Sequence, residues 1–167
     1  MTEIGGGAAA SPDTDAYIEA WKNTLGLAVE VKQMDAASFY QDQQAGKLQM
    51  FGSGWVMDYP DPEDLLDLKF HSKSPLNDQG YNNPAVDKIL DDARSQADAN
   101  KRLDLYRQAE KQILQDAAVV PLYFEEAHQV VSPAIKGWFN PLPRVSWKIA
   151  AISRMPIPSS RALRPTS

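Results

Sequence analysis

A tryptophan and an aspartate three positions apart are the residues of this 167-residue chain best suited to bind a ligand. Trp55 and Asp58 lie in the segment GWVMDYPDP, residues 54–62. An aromatic ring covers an apolar group, whereas a carboxylate pairs with a cationic amine, so together they suit a ligand that carries both. The alternative is structural: a core tryptophan followed by an aspartate turn that leads into proline. These nine residues alone leave both interpretations open.

The strand that precedes this segment explains why its residues would meet a ligand. The apolar run LQMF, residues 48–51, predicts a buried strand. Trp55 and Asp58 then follow the end of that strand, at the edge of a sheet. Open α/β sheets usually bind their ligands at this edge.

Cap residues mark the helices in the first part of the chain, because Ser11 precedes a proline and Asp35 precedes a helical apolar pattern. The predicted order is a helix from Ser11 to Gly26, a strand over 27–31, a short helix after Asp35 and the strand over 48–51. This order predicts two parallel strands joined by a crossover helix, and hence an α/β fold.

The second half of the chain contains helices and then strands. The predicted elements are a helix over 63–70, a loop over 71–83, helices after the caps Asn83 and Asp98, and strands over 119–124 and 129–131. Pro121 lacks an N–H donor, which predicts either an edge position or a hinge-like crossing for the strand 119–124. The charged face of the helix after Asp98 is predicted to be solvated. It carries Lys101, Arg102, Arg107, Glu110 and Lys111.

Composition indicates one globular domain. The chain is 43% hydrophobic and 23% charged, and its net charge of -5 argues against a nucleic-acid partner. It contains no cysteine, which excludes disulfides, a thiolate zinc site and a cysteine nucleophile. Residues 1–10 have neither a basic segment nor a long apolar run, so they predict a flexible N-terminal segment and no signal peptide. Residues 153–167 predict a disordered tail.

Catalytic and cofactor motifs are missing from the sequence. There is no phosphate loop, no dinucleotide-binding glycine motif and no nucleophile elbow. His71 and His128 lie far apart, without a carboxylate at a ligand spacing, which favours surface or loop positions over metal binding. Asp58 and Asp61 share one turn that gives no reason for their pKa values to separate, and Asp61 is better suited to a turn or cap. We therefore expect no enzyme activity, no cofactor and no metal site.

Four segments, taken in order, resemble one protein family. They are residues 17–31, the segment GWVMDYPDP at 54–62, the segment YNNPAVDKIL at 81–90 and residues 102–123. Together they resemble the C-terminal part of the family 5 extracellular solute-binding proteins, the dipeptide- and oligopeptide-binding components of ABC importers. The resemblance covers roughly residues 11–150.

The resemblance implies one lobe of a two-lobed periplasmic-binding-protein-like fold, with a mixed sheet flanked by helices. Residues 11–152 would form the C-terminal lobe, and residues 119–152 would be the segment that returns to the hinge. A longer parent protein would act outside the cytoplasm, in the periplasm or as a membrane-anchored lipoprotein. Its partners would be a small solute and the membrane subunits of an ABC importer.

The resemblance also implies a ligand site. In peptide-binding members, the aspartate after Trp-x-x pairs with the α-amino group of the peptide, and Asp58 stands at that position. The expected ligand-binding residues are Asp58, Trp55, Met57 and Tyr59.

Two positions depart from the pattern of the peptide binders. Gly52 stands where some oligopeptide binders carry a basic residue, and Glu125 stands where a tyrosine sometimes contacts the ligand. Asp58 favours a peptide, but other solutes of the family stay open, including oligosaccharides, nickel complexes and opines. A second possible function is a structural or interaction domain without a ligand. Since a lone lobe exposes apolar surface, we expect the isolated chain to self-associate or to be loosely ordered after Val119.

Overall fold

The computed structural model describes residues 1–6, 10–125, 130–132, 134–137 and 146–152. The described part contains five helices and five strands. In chain order they are β1 (Thr2–Ile4), α1 (Pro12–Leu25), β2 (Lys32–Met34), α2 (Ala36–Gln44), β3 (Met50–Val56), α3 (Glu63–Phe70), α4 (Pro84–Ser95), α5 (Ala99–Gln115), β4 (Val119–Glu125) and β5 (Ser146–Ile152).

The predicted cap residues begin their helices. Ser11, Asp35, Asn83 and Asp98 each accept a hydrogen bond from a backbone N–H in the first turn of the helix that follows. These bonds satisfy donors that have no partner inside a helix. Gly26 ends α1 with φ of 67°, a left-handed conformation that glycine adopts without steric cost. The helix predictions are thus confirmed, and α3 has the predicted bounds.

The strands form one mixed sheet in the order β2-β1-β3-β5-β4. β1 is parallel to β2 and β3, whereas β5 is antiparallel to β3 and β4. The predicted parallel arrangement of the strands on either side of α2 is confirmed, although β1 lies between them. The strand predicted over 27–31 is wrong, because β2 begins only at Lys32. Residues 1–10 carry no strand signal, yet Thr2–Ile4 pair on both sides in this sheet.

The strand that leads to the predicted site is longer than its apolar run. Residues 48–51 predict a strand that ends at Phe51, but β3 runs from Met50 to Val56. Trp55 therefore lies inside the strand, where it is paired with Trp147 of β5. Glycines at positions 52 and 54 give this stretch little intrinsic strand preference, so its pairing with β5 accounts for the extension.

The last strands agree only in part with the prediction. β4 lies at the edge of the sheet, and its register shifts between Pro121 and Tyr123, as expected for a strand that contains proline. The strand predicted over 129–131 is wrong for Val130 and Val131, which lie outside any strand, while residue 129 is outside the described residues. No sequence signal predicted β5. The tail 153–167 also lies outside the described residues.

The core lies between β3, β4 and the helices α2 to α5. α4 contributes Val86, Leu90 and Ala93, and α5 contributes Tyr106, Ala109 and Ile113, at the spacing of one helix face. The other buried members are Phe39, Leu48, Phe51, Leu66, Phe70, Tyr81, Ala118 and Val119. Each large apolar side chain that is fully buried contributes about 1.5–3 kcal/mol to folding.

The helix α1 packs much less tightly than α4 and α5. Its one buried residue is Thr14, whereas Tyr17 and Trp21 are half-buried and Leu25 is exposed. Among the helices that the structure describes, none has the length and apolar character required to cross a bilayer.

Candidate functional site

Trp55 and Asp58 are joined by a third residue, Asp64. The indole N–H of Trp55 donates a hydrogen bond of 3.0 Å to Oδ2 of Asp64, and the backbone N–H of Asp58 donates one of 2.9 Å to the same atom. Asp64 is completely buried, with 0% of its surface exposed. One carboxylate oxygen therefore sets the position of the aromatic ring relative to the aspartate loop.

Local structure brings Asp64 to this position. The chain turns after β3, and the backbone N–H of Asp64 donates to the carbonyl of Asp61 at 3.1 Å. Asp64 lies in the first turn of α3, where the positive end of the helix dipole favours a carboxylate. Leu65, Leu66 and Phe70 bury the apolar side of the same helix, so α3 is fixed against the core.

The face of the Trp55 ring contacts a buried cation. Nζ of Lys69 lies 5.4 Å from the ring centroid, within the range of a cation–π interaction. Lys69 is 4% exposed, forms a salt bridge with Asp78, and its backbone carbonyl accepts a hydrogen bond from the side chain of Gln79. The indole is thus held at its edge by Asp64 and at its face by Lys69.

The side chain of Asp58 stays available to a ligand. It is exposed, and its carboxylate forms no hydrogen bond or ion pair with any residue in the described ranges. Only its backbone N–H is engaged, by Asp64. A cationic group of a ligand would therefore meet a carboxylate that has no partner to give up.

Asp61, three residues further on, has the structural role that the sequence predicts for it. Its Oδ1 accepts from the backbone N–H of Glu63 at 2.9 Å, and both its oxygens accept from Arg102 at 2.7 and 2.8 Å. The hydrogen bonds from Arg102 hold the pKa of the Asp61 carboxyl below its usual value. Arg102 was assigned to the solvated face of α5, and that prediction is wrong, because its side chain is only 21% exposed.

Trp55 and Met57 line different cavities. Trp55 borders a cleft of about 620 Å³ together with Gly52, Gly54, Lys69 and Asp78. Met57 instead borders a mostly apolar cavity of about 350 Å³ between α3, α5 and β4. These two predicted site residues therefore border separate cavities.

Tyr59 lies at the exposed tip of the turn after β3. Partial burial, followed by the charges of Glu63 and Asp64, raises the pKa of its hydroxyl. The residue stays protonated at neutral pH and can donate a hydrogen bond.

Part of the lining of the larger cleft is a polar cluster that was missed from the sequence, and it includes Glu3, Thr14 and Tyr17. The carboxylate of Glu3 accepts hydrogen bonds from Thr14 at 2.6 Å and from Gln33 at 2.8 Å, and the Thr14 hydroxyl lies 2.6 Å from that of Tyr17. These residues come from β1, α1 and β2. They meet only because the strands pair, so the local sequence contains no signal of the cluster.

Gly52 and Glu125, the two positions that depart from the pattern of the peptide binders, are not described equally fully by the structure. Gly52 borders the cleft without a side chain. The backbone of Glu125 ends β4, but its side chain is outside what the structure describes.

The histidines have different outcomes. His71 is buried where α3 ends, with Nε2 3.4 Å from Asp91 and Nδ1 accepting from the N–H of Lys73 at 3.2 Å. His71 therefore lies in a loop, one of the two predicted positions, but it is buried and not at the surface. His128 lies outside the described residues. Within the described ranges, no three histidine or acidic side chains are arranged to hold a metal ion.

Known proteins resemble this chain both in sequence and in fold. Residues 2–77 match the sequence profile described as bacterial extracellular solute-binding proteins, family 5 middle. The periplasmic oligopeptide-binding protein OppA of Salmonella typhimurium is 32% identical over 123 residues, or 74% of this chain and 22% of OppA. The dipeptide-binding protein DppE of Bacillus subtilis is 31% identical, with the same 74% and 22% coverage.

A solved structure shares the fold. The unliganded open form of the periplasmic murein tripeptide-binding protein MppA matches with a TM-score of 0.65 at 22% identity, over 91% of this chain and 25% of that chain. The α/β fold with a mixed sheet is thus part of the fold of the two-lobed periplasmic binding proteins, and the chain spans 22% of the length of the curated relatives above. The chain belongs to the bacterial extracellular solute-binding proteins of family 5.

Proposed function

We propose that this chain supplies one wall of the peptide-binding cleft of an ABC importer's solute receptor. Residues 11–152 act as its C-terminal lobe, and residues 119–152 return toward the hinge. The relatives named above are, by their names, oligopeptide- and dipeptide-binding proteins, which supports a peptide as the solute. A periplasmic relative supports a parent protein that acts outside the cytoplasm and delivers the peptide to the membrane subunits of the importer.

The observation that carries the proposal is the state of Asp58. Its carboxylate is exposed and unengaged by the described residues, while its backbone is tied to a fully buried group. Such an arrangement holds a negative charge in place without neutralising it. The α-amino group of a peptide is the cation that this carboxylate pairs with.

Trp55, Met57 and Tyr59 have separate roles in the proposal. Trp55 borders the larger cleft and covers an apolar part of the peptide beside its amino group. Tyr59 is exposed near Asp58 in sequence and donates a hydrogen bond to the bound peptide. Met57 borders the second cavity, so its contact with the ligand requires a peptide that extends across the turn.

A lone wall binds weakly. An ion pair at an exposed carboxylate contributes about 0–1 kcal/mol, whereas a charge-assisted hydrogen bond that is shielded from water contributes about 1.5–3 kcal/mol. Asp58 is exposed in this chain, so the first range applies. We therefore expect weak binding, and the experiment must use peptide at millimolar concentration to detect it.

The proposal is tested by NMR titration of the isotope-labelled chain with a pool of di- to pentapeptides. We expect the amide signal of Asp58 and the indole signal of Trp55 to shift saturably with peptides that carry a free amino group. The same peptides with acetylated amino groups should not shift them. Asp58→Asn should weaken binding by up to about fivefold, the factor that corresponds to an exposed ion pair.

Asp92→Asn is the matched control, because Asp92 is an exposed carboxylate on α4 that pairs with Lys88. It changes the net charge equally and should leave peptide binding unchanged. The proposal fails if millimolar peptide leaves the Asp58 and Trp55 signals in place. It also fails if acetylated peptides bind as well as free ones.

A second candidate function is that of an interaction domain, and exposed apolar side chains favour it. Leu25 is 63% exposed and Phe124 is 69% exposed, on α1 and β4 respectively. If a second copy of the chain packed against these side chains, their apolar surface would be removed from water, which favours association. Sedimentation at increasing concentration tests this function: reversible self-association supports it, and a monomer at all concentrations argues against it.

A further inference from the structure

The carboxylate of Asp64 is the point at which the two proposed ligand-contacting residues meet. Its Oδ2 accepts from the indole of Trp55 at 3.0 Å and from the backbone of Asp58 at 2.9 Å. Asp64 itself is fully buried and has no access to a ligand. Any effect that it has on binding must therefore act through Trp55 and Asp58.

We propose that Asp64 is a positioning residue, whose Oδ2 holds the ring of Trp55 in a fixed position relative to the backbone of Asp58, from which the ligand-facing carboxylate projects. The inference rests on the proposed function, in which these two residues contact the peptide. It adds that the site depends on a buried carboxylate that touches no ligand. In this proposal, Trp55, Asp58 and Asp64 together determine the preference for a ligand that carries an amine beside an apolar group.

Rigid support for Asp64 comes from α3. Leu66 and Phe70 of this helix belong to the buried core, which ties α3 to the rest of the fold independently of the turn after β3. Trp55 belongs to β3, which is paired along its length with β5. Asp58 lies in the turn, which has no such pairing. The hydrogen bond from Asp58 to Asp64 therefore connects an unpaired turn to the helix α3, to which Trp55 of the paired strand β3 is also bonded.

The second oxygen of Asp64 argues that this residue serves more than packing. Oδ1 is buried and has no hydrogen-bond partner among the described residues. A buried carboxylate with an unsatisfied oxygen costs stability, and an apolar side chain of similar size commonly serves packing as well or better. What separates Asp64 from other buried carboxylates is that its Oδ2 is bonded to both Trp55 and Asp58.

Neighbouring Asp67 provides a matched comparison within the same helix. It is also buried, at 5% exposure, and its Oδ1 also has no partner in the described part of the chain. Its Oδ2, however, lies 3.3 Å from the hydroxyl of Tyr106 and 3.5 Å from Arg94, away from the turn. A change at Asp67 removes a buried carboxylate from α3 without touching Trp55 or Asp58.

The test is hydrogen exchange of the Trp55 indole N–H and the Asp58 amide, measured by NMR on the whole chain without ligand. Asp64→Leu removes the acceptor, so both exchange rates should rise by about tenfold or more, while the Leu90 amide of α4 should not change. Asp64→Asn keeps an acceptor oxygen and should restore rates to within about threefold of the original chain. Asp67→Leu should leave both rates unchanged.

Unchanged exchange in Asp64→Leu would overturn the proposal, as would an equal rise in Asp67→Leu. If Asp64→Leu does not fold, the proposal is tested on the unaltered chain instead. A scalar coupling across the hydrogen bond, from the indole nitrogen of Trp55 to the side-chain carboxyl carbon of Asp64, supports the proposal when present and refutes it when absent. None of these measurements needs a ligand, so failure here is distinct from failure of the peptide-binding proposal.

The peptide pool supplies the functional readout. The original chain and Asp64→Asn should favour free over acetylated peptides, whereas Asp64→Leu should lose at least half of that preference. Equal preference in Asp64→Leu and the original chain would overturn the positioning role.

Discussion

Asp58 and Asp61 lie three residues apart in one turn, yet their carboxylates have opposite surroundings. Asp61 accepts two hydrogen bonds from Arg102 and one from the backbone of Glu63. The carboxylate of Asp58 is exposed and unpaired among the described residues. Residue type and turn position therefore do not separate a structural aspartate from one that is proposed to bind a ligand. The position of Arg102 on α5 does, because its guanidinium pairs with the carboxylate of Asp61 and not with that of Asp58.

Removing the carboxylate of Asp61 should have the largest effect. Asp61→Ala breaks a partly buried, two-pronged ion pair and the backbone bond that starts α3, so we expect a loss of about 2 kcal/mol in the free energy of unfolding. Urea denaturation followed by circular dichroism measures it. A loss below about 0.5 kcal/mol, the range of an ordinary surface substitution, would mean that the pair is not structural.

Replacing Arg102 by lysine should have a smaller effect. A lysine keeps the charge but not the fork that contacts both oxygens of Asp61, nor the planar group 5.0 Å from the ring of Tyr106. We expect Arg102→Lys to lower the free energy of unfolding by about 1 kcal/mol. Arg107→Lys is the control, because Arg107 forms an exposed pair with Asp104 within α5 and should change stability by less than about 0.5 kcal/mol. Equal losses in the two variants would argue against the fork.

Acid should reveal the same pair through a modest pH dependence. Hydrogen bonds from Arg102 lower the pKa of Asp61 below its ordinary value of 3.8. The unfolded chain then binds more protons than the folded one between the two pKa values. The stability from Asp61 is therefore complete above pH 3.8 and is lost as the pH falls through the folded pKa. Urea titrations from pH 5 downward should show a shallower loss in Asp61→Asn, and an unchanged slope would contradict the assignment.

Asp67 should titrate with the opposite sign, which serves as an internal contrast. Burial raises its pKa, although Arg94 partly opposes the shift. The folded chain therefore binds more protons than the unfolded one above pH 3.8, and this carboxyl lowers stability as the pH rises through its folded pKa. Asp67→Asn should remove that decline relative to the original chain.

Removing the charge of Asp58 should have the smallest effect on stability. Its side chain has no partner in the described part of the chain, so Asp58→Asn should change the free energy of unfolding by less than about 0.5 kcal/mol. The same variant should weaken peptide binding. Asp58 is thus expected to affect binding more than stability, whereas Asp61 is expected to affect stability. A loss of stability comparable with that of Asp61→Ala would show that Asp58 also serves the fold.

Local chemistry explains which parts of the fold were predicted. A cap side chain bonds to a backbone N–H two or three residues away, as at Ser11, Asp35 and Asn83, so a short stretch of sequence contains both partners. Strands need partners from distant parts of the chain. β1 is three residues long and pairs with residues thirty or more positions away, and β5 follows a proline-rich stretch, so neither had a local signal.

The same distinction between local and long-range contacts explains which residues of the candidate site were predicted. Trp55 and Asp58 were selected by their chemical types, their spacing and the preceding apolar run. Asp64 and Lys69 were missed, although they lie in a correctly predicted helix, because a helical pattern does not show which polar residue will be buried.

The sequence by itself determined the helices, their caps, the family and the pair of residues with chemistry for an amine beside an apolar group. These depend on contacts between residues close in the chain and on residue types in a fixed order. The tertiary structure alone decided that Asp61 is neutralised by Arg102 while Asp58 is not, and that Asp64 holds the ring and the turn together. Burial and pairing of charges depend on which distant segments pack together, and packing is a property of the whole fold.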